Sequence, residues 1–217
     1  MNKTLEYIAK KYNIDLSNPS ADRPVIIETM GRDDLANDFK ALGFNLGAEI
    51  GVQRGEYSEI LCKANPNLKL FCIDAWTAYK EYVTPFRKRF DDSLEDQQKY
   101  LFDDFYEKAK VRLAPFDCVL IKKFSVDASK EFEDNSLDFV YIDASHEFQQ
   151  VANDIAEWSK KVKIGGIISG HDYWFSNKKP MIIHVKDVVD GWTHANQIKP
   201  WFVFNKNNKP NWFWVKG

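Results

Sequence analysis

The 217-residue chain has little cysteine, and what it has is widely spaced. Cys62, Cys72 and Cys118 form no CxxC pair and are odd in number, which excludes a disulfide framework and a zinc-thiolate site. Cys72 sits in the apolar run LKLFCID and Cys118 just before VLI, so both read as buried strand thiols of a reducing compartment. No apolar run reaches the length of a membrane span. The opening residues, MNKTLEYIAKKYNIDL, lack the apolar core and cleavage site of a secretory leader, so a cytoplasmic location is the expectation. Repeats, low-complexity tracts and dividing linkers are also missing, which points to one domain over residues 1–217. Nor does charge of one sign dominate: 30 basic against 32 acidic residues leave a net charge of −2. That balance disfavours broad attraction to a nucleic-acid backbone. The dense basic cluster Arg87–Lys88–Arg89 is followed at once by acids and reads as a solvated helix face.

Aromatic residues, by contrast, are plentiful at 15%, with seven tryptophans, several of them at or beyond Trp174. They either wall a pocket or fill an edge of the core, and packing is the more ordinary use of such side chains. Elsewhere the chain alternates. Leu5, Ile8, Ala9 and Tyr12 recur at helical spacing, and a second helix is expected from Asp33 to Leu42, stopped by Gly43. Together they make an N-terminal helical cap over residues 1–43. Apolar runs at 46–52, 68–74, 118–123, 137–143 and 164–172 read as strands. Helical stretches are expected at 58–64, interruptedly over 85–110, and at 147–162, where residues 148, 151, 155, 158 and 162 form an apolar stripe. Nearly continuous apolar strands separated by helices mean a parallel sheet covered on both faces. The end differs: after a helix in MIIHVKDVVDGW, the runs WFVFN (201–205) and WFWVK (212–216) flank a turn-rich link and predict an antiparallel pair. The fold class expected is therefore α/β: a Rossmann-like, doubly wound sheet of seven strands, mostly parallel, with an antiparallel C-terminal hairpin and N-terminal helices.

Four segments carry chemistry. EIGVQRGEYS (49–58) runs from a strand through a glycine turn into a helix. Gly51 and Gly55 let the backbone approach a ligand where a Cβ would collide. This is not GxGxxG, so a nicotinamide-dependent oxidoreductase is disfavoured. Glu49 would repel a pyrophosphate but suits a ligand bearing an ammonium group. Asp74 ends the next strand, 23 residues after Gly51, where an acid commonly accepts hydrogen bonds from ribose hydroxyls. Trp76, just beyond, is placed to cover a nucleoside. In SVDAS (125–129), Asp127 either contacts an adenine edge or caps a helix, and the residues leave both open.

The fourth segment is a pair, YIDASHEF (141–148) with SGHDYW (169–174). Asp143 and His146 end one strand; His171 and Asp172 end a neighbour. Ligands of open α/β sheets bind outside the carboxyl ends of the strands, so all four groups should converge on one rim. Asp143 and Asp172 offer hard oxygen ligands for Mg²⁺, and His146 or His171 could take a proton from a hydroxyl.

In order and spacing, EIGVQRGEYS, CIDAW and FVYIDASHEFQQVANDIAEWSKKVKIGGIISGHDY resemble the class I S-adenosylmethionine (SAM)-dependent methyltransferases. The likeness is to a subgroup with a D-x-x-H…D…W…GG…HDY signature that includes small-molecule and sugar O-methyltransferases, and it spans about residues 44–174. It implies SAM as cofactor, with Glu49, Gly51 and Gly55 along the methionine part, Asp74 at the ribose, Asp127 beside the adenine and Asp143 nearby. It also implies Mg²⁺ at Asp143 and Asp172 and a general base at His146. His171 stands where some relatives carry a second acid, a departure that weakens the metal set. The acceptor implied is a sugar, nucleotide sugar or other small hydroxylated molecule, without membrane involvement. A SAM-binding scaffold without catalysis and a methyltransferase acting on a macromolecule are the alternatives. The rim acids and histidines argue against the first. Against DNA amino-methylation stands the missing Asn-Pro-Pro-Tyr type of motif.

Overall fold

Alternating burial along the strands divides the protein into two apolar layers around one sheet. The computed structural model describes residues 2–77, 95–178, 182–206 and 210–217. Arg87–Lys88–Arg89 and the start of the 85–110 stretch lie outside them.

The elements run α1 (Lys3–Tyr12), β1 (Val25–Ile27), α2 (Arg32–Ala41), β2 (Leu46–Ile50), α3 (Glu56–Ala64), β3 (Lys69–Asp74), α4 (Glu95–Leu113) and β4 (Cys118–Lys122). They continue with α5 (Ser125–Ser129), β5 (Leu137–Ile142), α6 (Phe148–Lys161), β6 (Val162–Gly170), α7 (Val185–Ala195), β7 (Trp201–Phe204) and β8 (Asn211–Val215). The sheet order is β1-β7-β8-β6-β5-β2-β3-β4. β5, β2, β3 and β4 pair in parallel, as do β5 and β6, while β8 runs antiparallel between β6 and β7.

Among the described residues the sheet therefore has eight strands, not seven. The extra one, Val25-Ile26-Ile27, pairs in parallel with β7 at the edge, Val25 opposite Phe202. Three residues are too few to show a period, and the partner is distant in sequence, so local patterning could not reveal it.

On β5, Phe139 and Tyr141 face one layer while Val140 and Ile142 face the other; Phe213 and Trp212 divide likewise on β8. The first layer lies under α1 to α4, and there Phe39 of α2 stacks on Phe139 with ring centroids 3.9 Å apart. The second lies under α5 to α7 and takes Trp158, Trp201, Trp212 and Trp214. The tryptophans are thus mainly core; Trp174, at 38% exposure, is the surface exception.

Helix α1 docks on the sheet face away from the strand tips. Thr4 Oγ1 donates to the Gly165 carbonyl at 2.7 Å, early in β6, and Ile8 is fully buried. The buried Asp38 carboxylate of α2 accepts from Tyr7 Oη at 2.8 Å, from Tyr12 Oη at 2.6 Å and from Lys11. From the N-terminal segment, α2 is the helix whose first residue, Arg32, comes to the rim, 3.8 Å from Asp143.

Candidate active site

The order β5-β2-β3 puts the point where the chain's winding reverses between β2 and β5, and the crevice outside the strand ends opens there. The tip of β2 is laced to both neighbours: Gly51 N donates to Ile73 O at 2.8 Å, and Asp143 N donates to Ile50 O at 2.7 Å. Gly51 has φ +92°, and a Cβ there would lie 2.1 Å from the Asp143 carbonyl oxygen. No other residue type fits that turn without displacing the β5 tip. Gly55, at φ +75°, opens α3.

Asp74 organises the same turn. One carboxylate oxygen accepts from Gln53 N at 2.9 Å and the other from Trp76 N at 2.7 Å. Burial pushes its pKa up, while these backbone donors pull it down. Trp76 is 2% exposed, with its ring 4.8 Å from that of Tyr106, and its indole N–H donates to Gln53 O at 2.8 Å. Its visible work is to brace the turn. Glu49 is also buried and accepts from Ser58 Oγ of α3. Burial raises its pKa to about 8; the Ser58 bond opposes that shift and the Asp143 charge adds to it. Ser58 went unnoticed in the sequence because a lone serine in a helix carries no signal of its own. Asp127 is exposed in the first turn of α5 and pairs with Lys130 at 2.8 Å; the N-cap of that helix is Phe124, without a side-chain cap bond.

At the tips of β5 and β6 the four expected groups do come together. His146 Nε2 lies 2.9 Å from Asp172 Oδ2 and 3.8 Å from Asp143 Oδ1. His171 Nδ1 lies 3.0 Å from Asp172 Oδ1 and 3.7 Å from Asp143 Oδ1. Burial alone would lower the His146 pKa, but Asp143 and Asp172 outweigh it and lift the value to about 9. Asp172 moves the opposite way: burial pushes it up, and the two imidazoles hold it well below the usual carboxylate range. Asp172 also has φ +52°, a conformation non-glycine residues seldom adopt and one often found at functional sites. Although close to Asp172, His146 Nε2 lacks a directed hydrogen bond, and so does the buried Nε2 of His171.

The donor set suits a divalent cation. Asp143, His146 and Asp172 each present one ligand atom, all within 4.8 Å of one another. Two carboxylates meet the oxygen preference of Mg²⁺, and the undirected His146 nitrogen adds a donor that Mn²⁺ or Zn²⁺ also accept. From sequence, His146 is expected only as a base.

Residues 48–173 match a family model described as a methyltransferase domain, more than half of the chain. The protein belongs to that methyltransferase family. It is a SAM-dependent methyltransferase. Among solved structures, it superposes on a Staphylococcus aureus protein assigned as a caffeoyl-CoA O-methyltransferase with TM-score 0.59 and 13% identity, covering 99% of this chain and 91% of that one. The O-methyltransferase NovP gives TM-score 0.55 at 15% identity, covering 85% and 77%. A Clostridium thermocellum protein assigned as an rRNA methylase gives 0.57 at 10%, covering 87% and 98%. At such identities these likenesses establish the fold. No curated protein sequence matches the chain. Among the described residues, no helix is long and apolar enough to cross a membrane.

Proposed function

We propose that the protein transfers the methyl group of SAM to a hydroxyl of a small acceptor, such as a sugar, a nucleotide sugar or another hydroxylated molecule. The observation that carries this reading is the convergence of Asp143, His146, His171 and Asp172 beside the Gly51 turn. A sulfonium already bears a good leaving group, so the enzyme's tasks are alignment and removal of the acceptor proton. The acceptor oxygen attacks the methyl carbon, the C–S pair returns to sulfur, and the proton passes to an imidazole at the rim.

His146 is the base favoured here: its two flanking carboxylates stabilise the imidazolium that results and lift its pKa to about 9, so the neutral ring that accepts the proton, and turnover with it, grows as pH rises toward 9. Asp172 holds both rings through 2.9 and 3.0 Å contacts and positions them. Asp74 would hold the ribose, Glu49, Gly51 and Gly55 would line the methionine part, Asp127 would lie beside the adenine, and Trp76 braces the turn from within. A divalent cation, Mg²⁺ first, would be held by Asp143 and Asp172 and would supply Lewis acidity that lowers the hydroxyl pKa. In that state His171 is the imidazole left to take the proton if His146 turns to the ion.

The test is release of S-adenosylhomocysteine with a panel of sugars, nucleotide sugars and phenols, run beside SAM titration calorimetry. His146→Ala is expected to cut turnover at least a hundredfold while SAM affinity moves little. An unchanged rate removes His146 from the mechanism.

A further inference from the structure

We infer that Arg32 is the carboxylate-binding residue of the cofactor site and takes the amino-acid end of SAM. This inference rests on the cofactor lying across the strand tips as proposed above.

Arg32 is held at both its backbone and its charged head. It is the first residue of α2, and its guanidinium lies over the Tyr57 ring, 4.9 Å from the centroid. Tyr57 Oη donates back to the Arg32 carbonyl at 3.1 Å, so one tyrosine braces both the backbone and the charged head. Tyr57 packs in turn on Tyr141, with centroids 4.3 Å apart, and both tyrosines are nearly fully buried. The Tyr141 hydroxyl donates to Asn211 at 2.7 Å, which anchors this stack in β8. The guanidinium is therefore preorganised, and its side chain keeps 26% exposure.

Next comes what it lacks. Its carboxylate neighbour is Asp143, and the closest approach, Nη1 to Oδ2, is 3.8 Å, beyond hydrogen-bond reach. The Tyr141 hydroxyl is a side-chain partner of the guanidinium, and the rest of the partly buried planar fork offers donors suited to a carboxylate. Asp143 and Asp172 are at the same time candidate ligands for a cation. An external anion completes the arrangement.

Position then selects the anion. Arg32 reaches the crevice between β2 and β5, beside Asp143. A nucleoside held at the tip of β3 by Asp74 must still deliver its methyl group to the rim beyond β5. The part of SAM past the sulfonium then falls at the β2–β5 crossing, where Arg32 is the braced cation. A carboxylate or phosphate on the acceptor has the same chemistry, and the experiment separates the two sources.

Wild type, R32M and R32K are titrated calorimetrically with SAM and with decarboxylated SAM, which lacks only the carboxylate. The readout is each variant's ratio of the two affinities, so general losses of binding cancel. The wild-type ratio should fall about ten- to a hundredfold in R32M, as expected for a charge-assisted pair, and less in R32K. R32M retaining the wild-type ratio overturns the assignment, and a raised KM for an anionic acceptor in that variant would give the guanidinium to the acceptor instead. Should R32M bind neither compound and lose its cooperative melt, R32K decides: a reduced ratio supports the inference and an unchanged one overturns it. Wild type binding neither compound is a separate result, which removes the cofactor placement and this inference with it.

Discussion

The position a Cβ would occupy on Gly51 lies 2.1 Å from the carbonyl oxygen of Asp143. One glycine therefore couples the cofactor turn to the strand that carries the candidate metal ligand. Gly51→Ala is expected to cost about 2 kcal/mol or more, from a left-handed backbone and a displaced β5 tip. Urea unfolding reads the stability loss, and SAM calorimetry should show affinity falling by more than tenfold. A variant with wild-type affinity would show that the close approach has no bearing on the site.

The rim makes a prediction about metal. Asp143→Asn and Asp172→Asn each remove a charged oxygen donor from a three-residue set. Titration of wild type with Mg²⁺ and Mn²⁺ should show binding that both variants weaken at least tenfold. Equal binding in all three proteins would place any ion elsewhere.

Asp154 gives a pH dependence independent of the active site. It is buried in α6, accepts from Ser125 Oγ, and burial pushes its pKa from 3.8 up to about 7. The folded state thus holds this proton more tightly than the unfolded chain. Its contribution to stability is full below pH 3.8 and is lost as pH rises toward about 7. Unfolding of wild type and Asp154→Asn at pH 5 and pH 8 should show the difference moving against wild type as pH rises. A constant difference contradicts the assignment.

Asp38 tests how the N-terminal helix is held. Its fully buried carboxylate gathers Tyr7, Lys11 and Tyr12 of α1. Asp38→Ala should cost about 3 kcal/mol, because three donors lose their charged acceptor. Since α1 lies away from the strand tips, SAM affinity measured well below the melting temperature should stay within about threefold. A large loss of affinity would mean that α1 shapes the site.

Much of this was legible in the sequence because the relevant signals are local. Apolar runs such as LDFVYID and the stripe of α6 report burial on two faces or one. Asp74, Asp143 and Asp172 announce themselves as polar residues just where apolar strands stop. What stayed hidden depends on contacts far apart in the chain. The three residues of β1 become a strand only because β7 offers an edge. Ser58 gains meaning from the Glu49 carboxylate, and Arg32 from the two tyrosines that brace it and from Asp143. Trp76 shows the reverse limit: its position in sequence suggested a lid over the nucleoside, while the folded chain uses its indole N–H to hold Gln53. Similarly, nothing local in the N-terminal helical cap tells where it docks: α1 packs beside β6.

The most direct test of the account is S-adenosylhomocysteine release from wild type and His146→Ala, with and without Mg²⁺, over matched hydroxyl and amine acceptors. The account predicts turnover on a hydroxyl acceptor, stimulated by the metal and lost in the variant while SAM still binds. Turnover confined to amines, or undiminished in His146→Ala, would contradict it.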